Sequence, residues 1–157
     1  MTLTHLSPTG DARMVDVSDK AATARWARAE GVIVLSAVAR DAIREQALAK
    51  GDVFAVARIA GIMAAKRTAE LIPLCHPLAL TDVEVTLAED DAAGGIRVEA
   101  TARTTGKTGV EMEALTAVSV ALLTVYDMAK SIDRSMTITD VRLLEKGGGR
   151  SGTWRRT

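Results

Sequence analysis

The stretch Gly106–Lys130, GKTGVEMEALTAVSVALLTVYDMAK, decides how the rest of the chain is arranged. It opens with a glycine-bracketed turn, and from Val110 to Met128 it contains neither glycine nor proline. Alanine, leucine, valine and methionine fill most of its positions, so the predicted helix is apolar on nearly every face. Neighbouring elements must bury such a helix. The sequence therefore predicts a long central helix over 110–128.

The polar side chains of this helix lie at its two ends. Glu111 and Glu113 stand in the first turn, where the helix dipole also favours carboxylates. Asp127 and Lys130 are three residues apart and can form an ordinary surface ion pair. Glu111 and Asp127 are roughly 24 Å apart along a straight helix. If both ends serve one small-molecule site, a single subunit can hardly supply them, whereas two antiparallel copies of the helix across a two-fold axis could bring one end beside the other.

Length and composition indicate one domain over 1–157, with residues 1–15 and 147–157 expected to be flexible. Lysine and arginine together number 20, and aspartate and glutamate together also number 20. The resulting formal net charge of +0 argues against a nucleic-acid partner. The single cysteine, Cys75, suits a reducing cytosol. No signal-peptide pattern and no run of about 18 apolar residues is visible, so we expect a cytoplasmic protein with no membrane partner.

Helical and strand patterns surround the central helix. Leu80–Leu87 and Ile96–Thr104 alternate apolar and polar residues on either side of an acidic, glycine-bearing turn, which predicts a hairpin with one buried face. Thr137–Leu144 indicates a last strand, with a phase slip near Asp140 that predicts a bulge. Capping residues and closing glycines predict helices over 18–30, 37–49 and 53–70, and 32–35 is a short strand candidate.

These elements describe an antiparallel sheet with helices packed on one face. We therefore predict an α+β fold, a ferredoxin-like α/β sandwich.

The run Leu71–Leu78, LIPLCHPL, must be ordered but not helical, because its two prolines interrupt helical hydrogen bonding. Cys75 and His76 are adjacent and point to opposite sides of an extended chain, so they do not form a nucleophile–base dyad. His76 has two interpretations, a buried structural histidine and a functional one.

Metal and phosphate-loop motifs are absent from the sequence. Two histidines and one cysteine show no metal-ligand spacing, so we predict no metal ligand. The turn Gly106–Thr108 resembles the end of a phosphate loop, but Thr101 stands where the first glycine belongs; the turn can still bind anions before a helix. Lysine is rarer than arginine here, with 6 against 14. Lys50 at a turn and Lys130 beside Asp127 are therefore candidates for proton transfer.

Several runs carry a family resemblance. Lys50–Leu78 and Thr105–Lys130 closely resemble the cyclic pyranopterin monophosphate synthase family of molybdenum-cofactor biosynthesis, and residues 14–31 and 141–152 resemble it as well. The blocks LIPLCHPL and KTGVEMEALTA carry most of the specificity. Arg150 stands where the family usually has lysine, a change that keeps the charge and alters the donor geometry.

The resemblance implies a lyase (cyclase) that converts (8S)-3',8-cyclo-7,8-dihydroguanosine 5'-triphosphate to cyclic pyranopterin monophosphate and releases diphosphate. It also implies a ferredoxin-like subunit in a homohexamer, a trimer of dimers, with interfacial active sites. Asp127, Lys50 and Lys130 match the family's catalytic positions. Its substrate-binding and pocket-lining positions are matched by Leu74, Cys75, His76, Met112, Glu113, Glu111, Lys66, Arg25 and Lys146.

These residue types fit the implied chemistry. A triphosphate needs cations, and ring opening and closure need proton transfers, which Lys50, Lys130 and Asp127 can manage without a redox cofactor. The sequence requires no cofactor and is compatible with Mg²⁺ on the triphosphate. The alternative is a non-catalytic oligomeric nucleotide-sensing domain, which would return its nucleotide unchanged.

Overall fold

The computed structural model describes residue 7 and residues 9–157. Strands and helices follow one another in an order that brings distant parts of the chain into one sheet. In chain order the elements are β1 (Thr23–Val34), α1 (Ala37–Arg44), α2 (Val53–Ala65), α3 (Thr68–Leu71), β2 (Leu80–Asp90), β3 (Gly95–Gly106), α4 (Glu111–Ala129), β4 (Thr137–Gly147) and β5 (Trp154–Arg155).

The five strands form one sheet in the order β2-β3-β1-β4-β5, and every neighbouring pair is antiparallel. Helix α4 packs on β1, β3 and β4, while α2 packs on β2 and on α4. The chain passes from β1 to β2 through α2 and from β3 to β4 through α4. This is the ferredoxin-like α+β sandwich predicted from the sequence, and the fold prediction is confirmed.

Helix α4 is the middle of the hydrophobic core, as its apolar faces predict. Small residues let it approach its neighbours closely: a Cβ on Gly31 would lie 2.7 Å from Leu122 Cδ1, and one on Gly61 would lie 2.9 Å from Ala117 O. By length and composition α4 could cross a membrane, but here half of its most apolar window is buried inside the fold. The helix is therefore a core helix of this sandwich.

The helix predicted over 18–30 is wrong, because most of that range belongs to β1. Alanine and arginine favour helices in isolation, but strand pairing with β3 and β4 overrides that local preference. Ala27 and Ala29 are completely buried. Glu30 is buried as well and pairs with Arg97 at 2.6 Å. The strand candidate over 32–35 is the end of this same strand.

Other boundaries differ by smaller amounts. Helix α1 ends at Arg44, before the predicted 49. The helix predicted over 53–70 is divided into α2 and α3, where the Thr68 hydroxyl donates to the Ala65 carbonyl at 2.9 Å. The predicted bulge in β4 is confirmed: the register with β1 shifts there, and Asp140 has a φ of 55°.

Candidate active site

Three predicted catalytic residues meet at the carboxyl end of α4. Asp127 Oδ2 lies 2.6 Å from Lys50 Nζ, and Asp127 Oδ1 lies 2.7 Å from Lys130 Nζ. Lys50 Nζ also donates to the backbone carbonyl of Asp127 at 2.9 Å. Lys50 comes from the loop between α1 and α2, where Gly51 with a φ of 89° turns the chain into the Asp52 N-cap of α2. The fold thus brings together residues that are 77 positions apart.

The electrostatics of this cluster keep its carboxyl group ionised. Hydrogen bonds from Lys130 and then Lys50 lower the pKa of Asp127 to about 2. The three side chains remain 48%, 54% and 50% exposed for Lys50, Asp127 and Lys130. The cluster is therefore a charged, open surface to which a further molecule has access.

A cavity of about 540 Å³ lies at the other end of α4. Its walls are the proline-flanked segment before β2, the glycine-bracketed turn before α4, and the chain just before β1. Mostly apolar groups line it, which suits a planar ring system. Five of the predicted substrate-binding residues lie in its wall, namely Leu74, Cys75, His76, Glu111 and Met112.

A second, more polar cavity of about 210 Å³ adjoins the first, and the two share Lys20, Thr108, Gly109 and Glu111 in their walls. The predicted residues Arg25 and Lys146 line it. Arg25 Nε donates to the Gly106 carbonyl at 2.9 Å, which orients its guanidinium, and Lys146 Nζ donates to Glu111 Oε1. Lysines and an arginine around a small cavity make an anion-binding site. We call this second space the cationic cavity and the first the apolar cavity.

Cys75 lines the apolar cavity, whereas the predicted substrate-binding residue Glu113 is buried in α4 and is not part of its wall. Glu113 is 3% exposed, burial raises its pKa, and its Oε2 has no hydrogen-bond partner among the described residues. Burial and then the nearby Glu113 charge raise the pKa of Cys75, whose thiol is therefore protonated at neutral pH. Cys75 is a wall of the cavity rather than an activated nucleophile.

His76 has a defined hydrogen-bond partner. Its Nε2 lies 2.7 Å from the Val15 carbonyl oxygen. Because a carbonyl oxygen only accepts, Nε2 must carry the hydrogen of this bond. His76 is half-buried in the cavity wall and ties two segments together.

Lys66 lies apart from the other predicted residues. It is exposed and lines a separate groove of about 380 Å³, which touches the apolar cavity only through the shared Leu78. Sequence reasoning missed Val15, Val17 and Lys20, because the chain before β1 was predicted to be a mobile lead-in followed by a helix. The sequence signal that could have indicated this segment is Lys20, a cation close in the chain to Arg25, which the family resemblance implies as a pocket residue.

The two halves of the predicted site are at opposite ends of α4 within one subunit. Sixteen residues separate Glu111 from Asp127, hence roughly 24 Å of helix. Across residue 7 and residues 9–157, no group of three or more His, Cys, Asp or Glu side chains is placed to hold a metal ion.

The chain is thus a ferredoxin-like sandwich with a cationic cavity at one end of its core helix and a lysine–aspartate cluster at the other. A family model described as the MoaC family matches residues 14–149. The chain therefore belongs to the MoaC family.

Relatives cover nearly the whole chain. It is 64% identical over 153 residues to the cyclic pyranopterin monophosphate synthase of Methylobacterium sp. (strain 4-46), an alignment covering 98% of this chain and 96% of that protein. It is 60% identical over 154 residues to the protein of the same name from Thermomicrobium roseum, covering 98% and 93%. The cyclic pyranopterin monophosphate synthase 3 of Mycobacterium bovis is 62% identical over 154 residues, covering 98% and 86%.

Proposed function

We propose that this chain is a cyclic pyranopterin monophosphate synthase. It acts in molybdenum-cofactor biosynthesis and converts the cyclised dihydroguanosine triphosphate to cyclic pyranopterin monophosphate and diphosphate. The observation that carries the proposal is the pair of ion pairs at Asp127, in which Lys50 contacts one carboxylate oxygen and Lys130 contacts the other. Relatives at 60% and 64% identity bear this name, which supports the same assignment.

The protonation of Asp127 divides the roles in this cluster. With a pKa of about 2 the carboxyl group is ionised at neutral pH, so it cannot serve as the proton donor. It instead holds the ammonium groups of Lys50 and Lys130 in place. Each lysine can then donate a proton to a departing ring nitrogen or stabilise a developing oxyanion.

The two cavities suggest how the substrate lies. We place the ring system in the apolar cavity, against Leu74, Cys75 and Met112, and the phosphates in the cationic cavity, against Arg25 and Lys146. A ribose hydroxyl must attack the inner phosphorus, and cations beside the outer phosphates stabilise the charge of the leaving diphosphate. Lys146 then exchanges its ion pair with Glu111 for a phosphate contact.

We propose that the complete site needs a second subunit, because the lysine–aspartate cluster and the cavities lie at opposite ends of α4. Exposed apolar side chains mark a face that a second copy can cover: Val56, Ile59 and Met63 form one stripe of α2 and are 43%, 58% and 49% exposed, and Leu123 of α4 is 56% exposed. The proposed assembly is a homohexamer of three dimers. In it, Lys66, which faces another groove in its own subunit, would serve a neighbouring site. Sedimentation equilibrium tests this assembly.

The proposed reaction rearranges its substrate without net oxidation, so it calls for no redox cofactor. A Mg²⁺ ion would be held by the oxygens of the triphosphate, which are the ligands this ion prefers, and would neutralise part of its charge. Diphosphate release measured with and without a chelator tests this point. The proposed compartment is the cytoplasm, where the free thiol of Cys75 stays reduced.

The deciding experiment incubates the purified protein with the cyclised dihydroguanosine triphosphate and follows diphosphate release together with product mass. We expect one diphosphate for each cyclic monophosphate formed. Lys130→Met should lower turnover by about a hundredfold or more, the usual contribution of a proton-transfer group. Unchanged substrate bound to folded wild-type oligomer would favour the nucleotide-sensing alternative, and near-normal turnover by Lys130→Met would contradict the role of that lysine.

A further inference from the structure

The segment Val15–Lys20, which we call the strap, forms one wall of both cavities. It is turned tightly on itself: Asp16 Oδ1 accepts from Ser18 N at 2.9 Å, and Lys20 N donates to Val17 O at 3.1 Å. This turn stands where the sequence predicted a helix start at Ser18. The strap is thus a compact turn just before β1, with Val15, Val17 and Lys20 in the wall of the apolar cavity and Lys20 also in that of the cationic cavity.

Two side chains from other parts of the chain hold the strap by its carbonyl groups. His76 Nε2 donates to Val15 O at 2.7 Å, and Lys107 Nζ donates to Ser18 O at 2.6 Å. His76 belongs to the proline-flanked segment, and Lys107 belongs to the glycine-bracketed turn before α4. Both of these segments are cavity walls themselves. The strap is therefore joined to the two walls that it spans.

The position of the strap determines what the cavities present to a ligand. Val17 lines the apolar cavity. Lys20 lines the apolar cavity, the cationic cavity and a third space of about 470 Å³ that also contains Arg25 and Arg150. A displaced strap would open the apolar cavity on one side and remove a cation from the cationic cavity.

We propose that Lys107 is a positioning residue that fixes the strap over the cavities through Ser18 O, so that Val17 closes the apolar cavity and Lys20 faces the phosphates. The ligand in this proposal rests on the function proposed above. Lys107 lines the cationic cavity as well, and towards the strap its ammonium group makes a charge-assisted hydrogen bond that a shorter or uncharged side chain cannot make. The proposal is independent of which lysine of the Asp127 cluster transfers a proton.

The first test measures hydrogen exchange of peptides covering the strap in the ligand-free oligomer. Lys107→Met removes the donor and keeps an unbranched side chain, and Lys107→Arg is the matched control that keeps a cationic donor. We expect strap exchange about three- to tenfold faster in Lys107→Met, the scale of one lost charge-assisted hydrogen bond at a partly exposed site. Exchange in α4 should be unchanged, and Lys107→Arg should stay close to wild type.

The second test separates substrate binding from chemistry. Lys107→Met should raise KM for the cyclised triphosphate about fivefold while kcat stays within about twofold, because the strap contributes to binding and not to the proton transfers. Lys107→Arg should restore KM. Wild-type strap exchange in Lys107→Met would overturn the proposed contact, and faster exchange with an unchanged KM would overturn its role in binding. A wild-type protein that releases no diphosphate would count against the proposed function, whereas the exchange result would still decide the contact.

Discussion

Two inactive variants of this protein should restore each other's activity when they share an oligomer. Asp127→Asn impairs the carboxyl end of α4, and Glu111→Gln impairs the cavities at its amino end. Each variant is expected to retain about 1% of wild-type turnover or less, given the usual weight of acid–base and charge-stabilising groups. The roughly 24 Å between the two positions is too long for one subunit to bring both to the same reacting centre.

The expected recovery follows from counting sites. Equal amounts of the two variants, unfolded and refolded together, form mixed dimers in about half of all pairs. Each mixed dimer has one site built from two intact helix ends and one site built from two impaired ends. Because about half of the dimers are mixed and half of the sites in each mixed dimer are intact, the mixture should recover about 25% of wild-type turnover.

The assay is diphosphate release by the refolded mixture, with native mass spectrometry to verify the mixed oligomers. A mixture of Asp127→Asn with Lys130→Met is the matched control, because both changes impair the same end and no arrangement of subunits yields an intact site. Activity that stays at the level of the separate variants, in verified mixed oligomers, would refute the shared site. Both halves would then have to act within one subunit.

Three further predictions concern packing and titration. Gly61→Ala would place a Cβ 2.9 Å from a carbonyl oxygen of α4. Overpacking should cost about 1–3 kcal/mol and outweigh a helix-propensity gain of about 1 kcal/mol, so urea unfolding should show a free energy of unfolding lower by about 1 kcal/mol. Ala60→Gly is the control that measures the helix-propensity contribution. In an NMR titration the carboxyl resonance of Asp127 should show a pKa near 2, and Lys130→Met should raise that pKa towards 3.8. Because the pKa is depressed in the folded state, the two lysine–Asp127 pairs contribute fully to stability above pH 3.8, and this contribution is lost as the pH falls towards about 2. Glu113 has a raised pKa, so its ionisation disfavours the folded state as the pH rises, and the gain in Tm from Glu113→Gln should be larger at about pH 8 than at about pH 5.

The apolar run in Gly106–Lys130 was sufficient to predict the core helix, because burial of an all-round apolar helix is a property of its own residues. The hairpin β2–β3 and the β4 bulge followed from alternation and its interruption, which are also local patterns. The motifs LIPLCHPL and KTGVEMEALTA contain six of the predicted site residues, and each motif lies within one short segment. Local patterns along the chain thus predicted the core helix, the hairpin and the β4 bulge, and the resemblance supplied the residue types of the candidate site.

Tertiary structure decided the rest. The alanines of β1 have helix propensity, and only pairing with β3 and β4, distant in sequence, makes them a strand. Lys50 meets Asp127, and Lys107 meets the Ser18 carbonyl, across 77 and 89 positions of the chain. A backbone carbonyl carries no sequence signature of its own, so the strap and its contacts could not be predicted from residue types. These contacts form only when the folded chain brings segments that are distant in sequence together around α4, so their positions depend on the tertiary structure.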